Sequence, residues 1–408
     1  MARTASNLTS RTALPDPYRQ LKFFNFFMYG SWSLLNPFLP LYFQNIGFSN
    51  IQIGLLMTIG PIVSLLANPF WGYWSDRSQN TRLILLIMLS GNFVASQLYF
   101  QMGTFATVLS FMLLFFFFQT SLNPLTNSLI LQAIRGTSYS FGTYRLWGSL
   151  GFAVMVLAAS PLIAWAGVEN LGYLYGFFVL VALMIGVRLP KAKRSGPSRR
   201  ISGKGMLQLA LQPTFAVFLV LSALLSIPNY MNMSFISVYI TDLGGSEVSV
   251  GWSWFLAAII EVPIFVMLDR YLRTTARTMF GLMVLVSGLF VLRWLLMALS
   301  TEPIHIILIQ LLHSVTFGVT FYTSTQLCNY LVPEQYRTSG QAIYGLVWMG
   351  GGGIVGGLLG GWLFETHGPS MLYLSGVFMS IAGMAGFGGL WLRYRRLGED
   401  APEEVQAE

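Results

Sequence analysis

The chain has 408 residues, 54% hydrophobic and 9% charged, against roughly 25% charged residues in an ordinary soluble domain, so a soluble monomer is excluded. A formal charge of +8 suits nucleic-acid binding in principle, but basic residues of membrane proteins gather in cytoplasmic loops, and their placement here follows that pattern. Cys328 is the single cysteine, which excludes an intrachain disulfide and a cysteine-based metal site.

The polar N-terminal stretch shows no cleavable signal peptide, and the first apolar run is expected to act as its own insertion signal. Apolar runs lie near 23–43, 51–70, 83–101, 105–130, 147–165 and 171–187, then near 214–239, 250–267, 278–299, 304–330, 344–364 and 371–392. Twelve helices of about 20 residues use about 240 positions and leave short connections and tails. The prediction is an all-α integral membrane protein of twelve transmembrane helices. Residues 1–188 form an N-terminal six-helix half, 189–205 a basic linker, and 206–408 a C-terminal half with an acidic tail. Apart from Arg145 and Arg293, every Lys and Arg falls in the tails or the even-numbered connections. The opposite connections carry only Glu169, Asp242, Glu247, Glu302 and Glu365, so both termini are expected on the cytoplasmic side of a bacterial inner membrane. The linker, with Lys191, Lys193, Arg194, Arg199, Arg200 and Lys204, reads as a connection obeying the charge rule rather than a lipid or nucleic-acid patch.

The halves repeat each other. Asp76-Arg77 follows the second run as Asp269-Arg270 follows the eighth, and Gly142 precedes the fifth as Gly340 precedes the eleventh. Such repetition is how many secondary transporters build a midplane cavity. The segment GYWSDRSQNTR resembles the loop signature of the major facilitator superfamily. Gly72, Asp76, Arg77 and Arg82 match it, while Gln79 stands where a later glycine is usual. Gly72 is expected to permit close helix approach, and Asp76 with the arginines, like Asp269 and Arg270, to change partners as the halves rock.

Four potentially charged side chains lie inside apolar runs: Arg145, Glu261, Arg293 and His313. A charge at the bilayer centre costs about 2.5 to 3.5 kcal/mol on insertion scales and so marks a solute or proton route. Their surroundings, FGTYRLWGSLGF, AIIEVP, VLRW and QLLHSVTF, together resemble the phenylpropionate-permease branch of the superfamily and, more distantly, lactose permease. The resemblance implies substrate binding by Arg145 and Glu261 and coupling by Glu261, Arg293 and His313. It also brings departures: Asn127 stands in place of a fourth-helix acid, Thr316 in place of a proton-carrying glutamate, Gln310 in place of a lysine, and Asn229 and Asn232 in place of two aspartates.

Helical spacing puts Arg145, Ser149 and Phe152 on one face, repeats the pattern at Trp254, Ala258 and Glu261, and forms a third stripe at Gln310, His313, Phe317 and Phe321. Trp147 and Trp254 are the aromatic candidates for stacking on a solute. The run MGGGGIVGGLLGG, with Gly353, Gly357 and Gly361 at small-xxx-small spacing, reads as a close-packing helix surface rather than a phosphate loop. Pro40, Pro61, Pro124, Pro228 and Pro263 read as kinks.

The expected activity is secondary transport of a small organic solute by a functional monomer in the bilayer, without cofactor, metal or nucleic acid. Arg145 and Arg293 against Glu261, with His313, sum to a positive site and suggest proton symport of an organic anion. A sugar or nucleoside symporter and an efflux antiporter are the alternatives. An enzyme is disfavoured: the histidines are His305, His313 and His367 only, and the chain has no H-E-x-x-H, nucleophile elbow or P-loop.

Overall fold

The computed structural model describes residues 18–137, 139–190, 203–271 and 275–397. Most of the basic linker, the acidic tail and the side chain of Asp269 lie outside the described residues. Among those described the regular structure is helical throughout.

The first half comprises α1 (Arg19–Asn45), α2 (Asn50–Ser78), α3 (Thr81–Tyr99), α4 (Phe105–Gln119), α5 (Leu122–Ile134), α6 (Phe141–Ala166) and α7 (Leu171–Gly186). The second comprises α8 (Gly203–Ala210), α9 (Pro213–Asp242), α10 (Glu247–Tyr271), α11 (Ala276–Ala298), α12 (Pro303–Leu331), α13 (Arg337–Gly345) and α14 (Gly352–Leu397). Short polar signals start these helices. Ser49 and Gln52 form a reciprocal capping box at α2, Asn80 accepts from Leu83 N–H at α3, and Pro213 and Pro303 occupy the first turns of α9 and α12, where a missing N–H costs nothing.

Nine helices among the described residues are long and apolar enough to cross a membrane. The expected fourth run is one such span, Phe105–Ile134, broken between α4 and α5 at Thr120 and Ser121. A 63-residue run, Glu334–Arg396, counts once, although Gly368, at φ 80°, takes a conformation that favours glycine and divides α14 in two. The eleventh apolar run opens with a π-helical turn, Leu346–Gly351, which takes in the first two glycines of the glycine-rich run. Large apolar side chains face outward, among them Leu66 at 76% and Phe378 at 66% exposure. An apolar exterior of this kind belongs in lipid.

Within the first half α1 packs on α6 and α7; within the second α14 packs on α9 and α11. The halves meet through α2 against α14, α6 against α10, and α1 against α9. These contacts concentrate at the end bearing the connections without Lys or Arg. There the backbone N–H of Asn50 donates to Glu365 Oε2 at 2.8 Å and Gln44 Nε2 to Asp242 Oδ1 at 3.3 Å. A Cβ on Gly54 would meet the Gly357 carbonyl, and one on Gly361 would lie 2.7 Å from the Asn50 carbonyl, so the crossing of α2 and α14 admits only glycine. This corrects the expectation for Gly72, where an added Cβ would meet nothing within 4 Å. The tight approach falls at Gly54, toward the opposite end of α2.

Candidate functional site

A cavity of about 690 Å³ lies between the halves. α6 turns Arg145, Ser149 and Phe152 into it, α10 contributes Ser253, Trp254 and Glu261, and α12 contributes Gln310, His313 and Phe317. The three predicted stripes therefore share one space, because each repeats at helical spacing and its helix presents that face inward. Asn127 enters from α5, Asn229 and Asn232 from α9, and Tyr29, Trp32 and Asn36 from α1. At the end where the halves meet, the rings of Phe152 and Trp254 lie 6.1 Å apart and narrow the cavity.

Arg145 Nη1 donates to Ser149 Oγ at 3.3 Å, and its Cζ stands 4.5 Å from the centre of the Tyr29 ring. No ion pair joins it to Glu261 among the described residues, yet it is the cation that acts electrostatically on that carboxylate. Both side chains are partly exposed to the cavity. Asn127 does not replace the missing acid: its Nδ2 donates to Asn123 Oδ1 at 3.0 Å, while its own Oδ1 is buried without a partner. Trp254 Nε1 donates to Ser237 Oγ at 3.3 Å, which leaves the ring edge-anchored at the cavity wall.

Arg293 lies elsewhere. It is fully buried, donates to Asn229 Oδ1 at 3.3 Å and stacks 4.1 Å from the Trp294 ring, with Nε and Nη2 unpartnered. It stands behind Asn229 and does not line the cavity, though its charge acts on His313. The His313 ring stacks on Phe317 at 5.7 Å, and its Nδ1 is buried without a hydrogen bond. Thr316 bonds back to the carbonyls of Leu312 and His313 and is closed off from the cavity. Trp147 also stands apart from the cavity, its ring 5.8 Å from Phe23 and 6.3 Å from Phe26 on α1. Of the predicted solute contacts, then, Arg145, Glu261, Asn127, Ser149 and Trp254 come together and Trp147 does not. Tyr29, Trp32 and Asn36 were missed. The available signal was Asn36, an amide in a mostly apolar run that also carries Asn25, Ser31 and Ser33.

At the other end of α2 the signature residues hold local contacts. Arg77 Nη1 donates to the Tyr73 hydroxyl at 2.9 Å and lies 5.9 Å from the Trp74 ring; Arg82 Nη1 donates to the Leu189 carbonyl at 3.0 Å, just beyond α7. Gln79 Nε2 donates to the Asp76 carbonyl at 2.6 Å. Gln79 also has φ 52°, the left-handed cap of α2, and is the one non-glycine residue at positive φ among those described. The glycine expected at this point of the signature has a structural reason, which Gln79 meets under strain. Arg270 lies in the last turn of α10.

Paired helical halves that close at one end over a polar cavity define a transporter of the major facilitator type. Residues 18–375 match the model of the MFS_1 like family, and the chain belongs to that family. It is 28% identical over 380 residues to a maltose permease of Geobacillus stearothermophilus, covering 92% of this chain and 95% of the relative. It is 26% identical to a probable 3-phenylpropionic acid transporter of Escherichia coli (strain K12), covering 87% and 92%. In fold it is similar to the crystal structure of the nucleoside transporter NupG, at TM-score 0.78, 17% identity, and coverage of 92% and 99%. These relatives are transporters and not enzymes.

Proposed function

We propose that this protein is a secondary transporter that moves a small, uncharged, hydroxyl-rich solute of the sugar or nucleoside type by alternating access, in symport with a proton carried at Glu261. The observation that carries this reading is the cavity lining. With Arg293 behind the wall, Arg145 and Glu261 oppose each other as single charges, and Asn36, Asn127, Asn229, Asn232, Ser149 and Gln310 surround them with amide and hydroxyl groups. Such groups match a polyhydroxyl body, while Trp254 and Tyr29 offer apolar faces to its ring. Among the described residues Glu261 is the one carboxylate lining the cavity, and an ionisable group at such a place marks a proton route. The name of the maltose permease relative supports the same class, while that of the 3-phenylpropionic acid transporter supports the second reading below.

A second reading, symport of an organic anion, is favoured by one observation: Arg145 has no acid partner among the described residues, and an unpaired buried charge is costly. A planar guanidinium also fits a carboxylate. Counterflow in proteoliposomes with maltose, uridine and 3-phenylpropionate, with and without a pH gradient, decides between them. Accumulation of a neutral solute that requires the gradient supports the first reading; accumulation of 3-phenylpropionate alone overturns it. Asn127→Asp sharpens the result, since an added acid weakens binding of an anion and spares a neutral solute.

The same proposal places twelve spans in the bacterial inner membrane, counting α1, α10 and the two parts of α14 separately, in a monomer with both termini and the basic linker cytoplasmic. A cysteine at Ser195 is then labelled only from inside, and its labelling in intact cells by an impermeant thiol reagent overturns the orientation. In this orientation the closed end faces outward and the cavity opens inward. Asp76, Arg77 and Arg82, with Asp269 and Arg270, act at the inner end where the halves part, and Arg293 with His313 supports coupling from behind the cavity wall.

A further inference from the structure

Arg145 keeps a cation at the cavity without any carboxylate from α5, and what holds it instead is neutral. Its guanidinium lies over the Tyr29 ring at 4.5 Å and gives one N–H to Ser149. The ring is fixed from three sides. Its hydroxyl donates to Asn123 Oδ1 at 2.6 Å, the same oxygen that accepts Asn127 Nδ2. Its other neighbour on α1, Trp32, lies 5.1 Å away. On α6 the ring sits in a notch at Gly148, where a Cβ would come within 2.7 Å of Tyr29 Cδ2. Gly148 stands between Arg145 and Ser149, so the helix that carries the cation also carries the gap that admits the ring.

A carboxylate partner would take up two edge N–H groups of the guanidinium in a fork. A ring face attracts the same cation through its quadrupole and touches only the flat side, which leaves the edge donors available. We propose that Tyr29, set by Asn123 and the Gly148 notch, is the positioning residue for Arg145, standing in for a counter-ion while keeping the guanidinium edge free for Glu261 and the solute. This rests on the reading of Arg145 as a solute contact. It also explains why Asn127 is tolerated opposite an arginine: Asn123 and Asn127 form the support of the ring rather than a partner of the cation.

The test is the half-saturation concentration and maximal rate of maltose and uridine counterflow in Tyr29→Phe, Tyr29→Leu and Tyr29→Leu/Asn127→Asp, with Arg145→Gln beside them and thermal melting of each. Tyr29→Phe keeps the ring face and the Gly148 notch but loses the bond to Asn123, and its half-saturation concentration is expected to rise clearly less than that of the Leu variant. Tyr29→Leu loses it, and its half-saturation concentration is expected to rise about tenfold, the scale of a desolvated cation–π contact, with the maximal rate little changed. Adding Asn127→Asp supplies an acid that holds the guanidinium again but takes up part of its edge, and is expected to recover affinity in the Leu variant only in part. Equal behaviour of the Phe and Leu variants, or a further loss on adding the acid, overturns the proposal; melting temperatures separate either outcome from misfolding. Undiminished counterflow by Arg145→Gln overturns instead the underlying reading of the site.

Discussion

The two arginines inside apolar helices, Arg145 on α6 and Arg293 on α11, are treated differently. Arg145 reaches the cavity, with a hydroxyl and a ring for company. Arg293 is sealed behind Asn229, keeps two unpartnered nitrogens and stacks on Trp294. Both use an aromatic face where an acid is absent, but only the first presents its charge to a solute. What a cation inside an apolar helix can do is thus set by which side of its helix faces the opening.

The sharpest way to break this comparison is at the acid that shares the cavity with Arg145. Glu261→Gln is expected to abolish uphill accumulation under a pH gradient while sparing counterflow, and full accumulation in that variant refutes the coupling assignment. Next comes the arginine pair itself. Arg145→Met removes one member of a desolvated polar set and is expected to weaken solute binding by about 30-fold or more. Arg293→Met is expected to leave equilibrium binding near wild type, with equal or higher thermal stability, because replacing a poorly paired buried charge by an apolar isostere is often neutral or stabilising; its loss should appear only in uphill accumulation. Binding titrations on the two purified variants give the contrast directly.

A second contrast, between the two ends of α2, yields smaller effects. Gly54→Val overpacks the crossing with Gly357 and Gly361 and is expected to disfavour the closed end by about 1 to 3 kcal/mol, seen as increased outside labelling of a cysteine placed at Asn36. Gln79→Gly relieves a left-handed side chain and is expected to stabilise the protein by about 1 kcal/mol in thermal melting. Gly72→Ala meets open space and is expected to change little.

The sequence carried the helices and the set of buried charges because apolar runs and isolated ionisable groups are one-dimensional signals. Which face a residue takes is not. The stripe spacing sufficed for Arg145, Glu261 and His313, since each sits in a run of polar or aromatic residues at helical intervals. Arg293 has no such stripe, and nothing local tells that α11 turns it toward Asn229. Trp147 and Trp254 look alike in sequence, yet one packs on Phe23 and Phe26 of the neighbouring helix and the other on the cavity. Tyr29 was illegible because its role depends on a notch at Gly148, more than a hundred positions away. The signature at the end of α2 was legible in composition, but its glycine position gained meaning only from the backbone angle of Gln79.

The carboxylate of Glu365 on the first free N–H of α2 has a consequence in terms of water. That N–H has no partner inside its own helix, and the protein acceptor it meets belongs to the opposite half. The bond itself is solvent-exposed, but Gly54, Gly357 and Gly361 beside it are buried, so parting the halves at this end breaks a contact at the rim and admits water to the glycine crossing. Opening takes up water, so an impermeant polymer that lowers water activity on that side holds the molecule shut, and the transport cycle of this protein is in part a cycle of hydration.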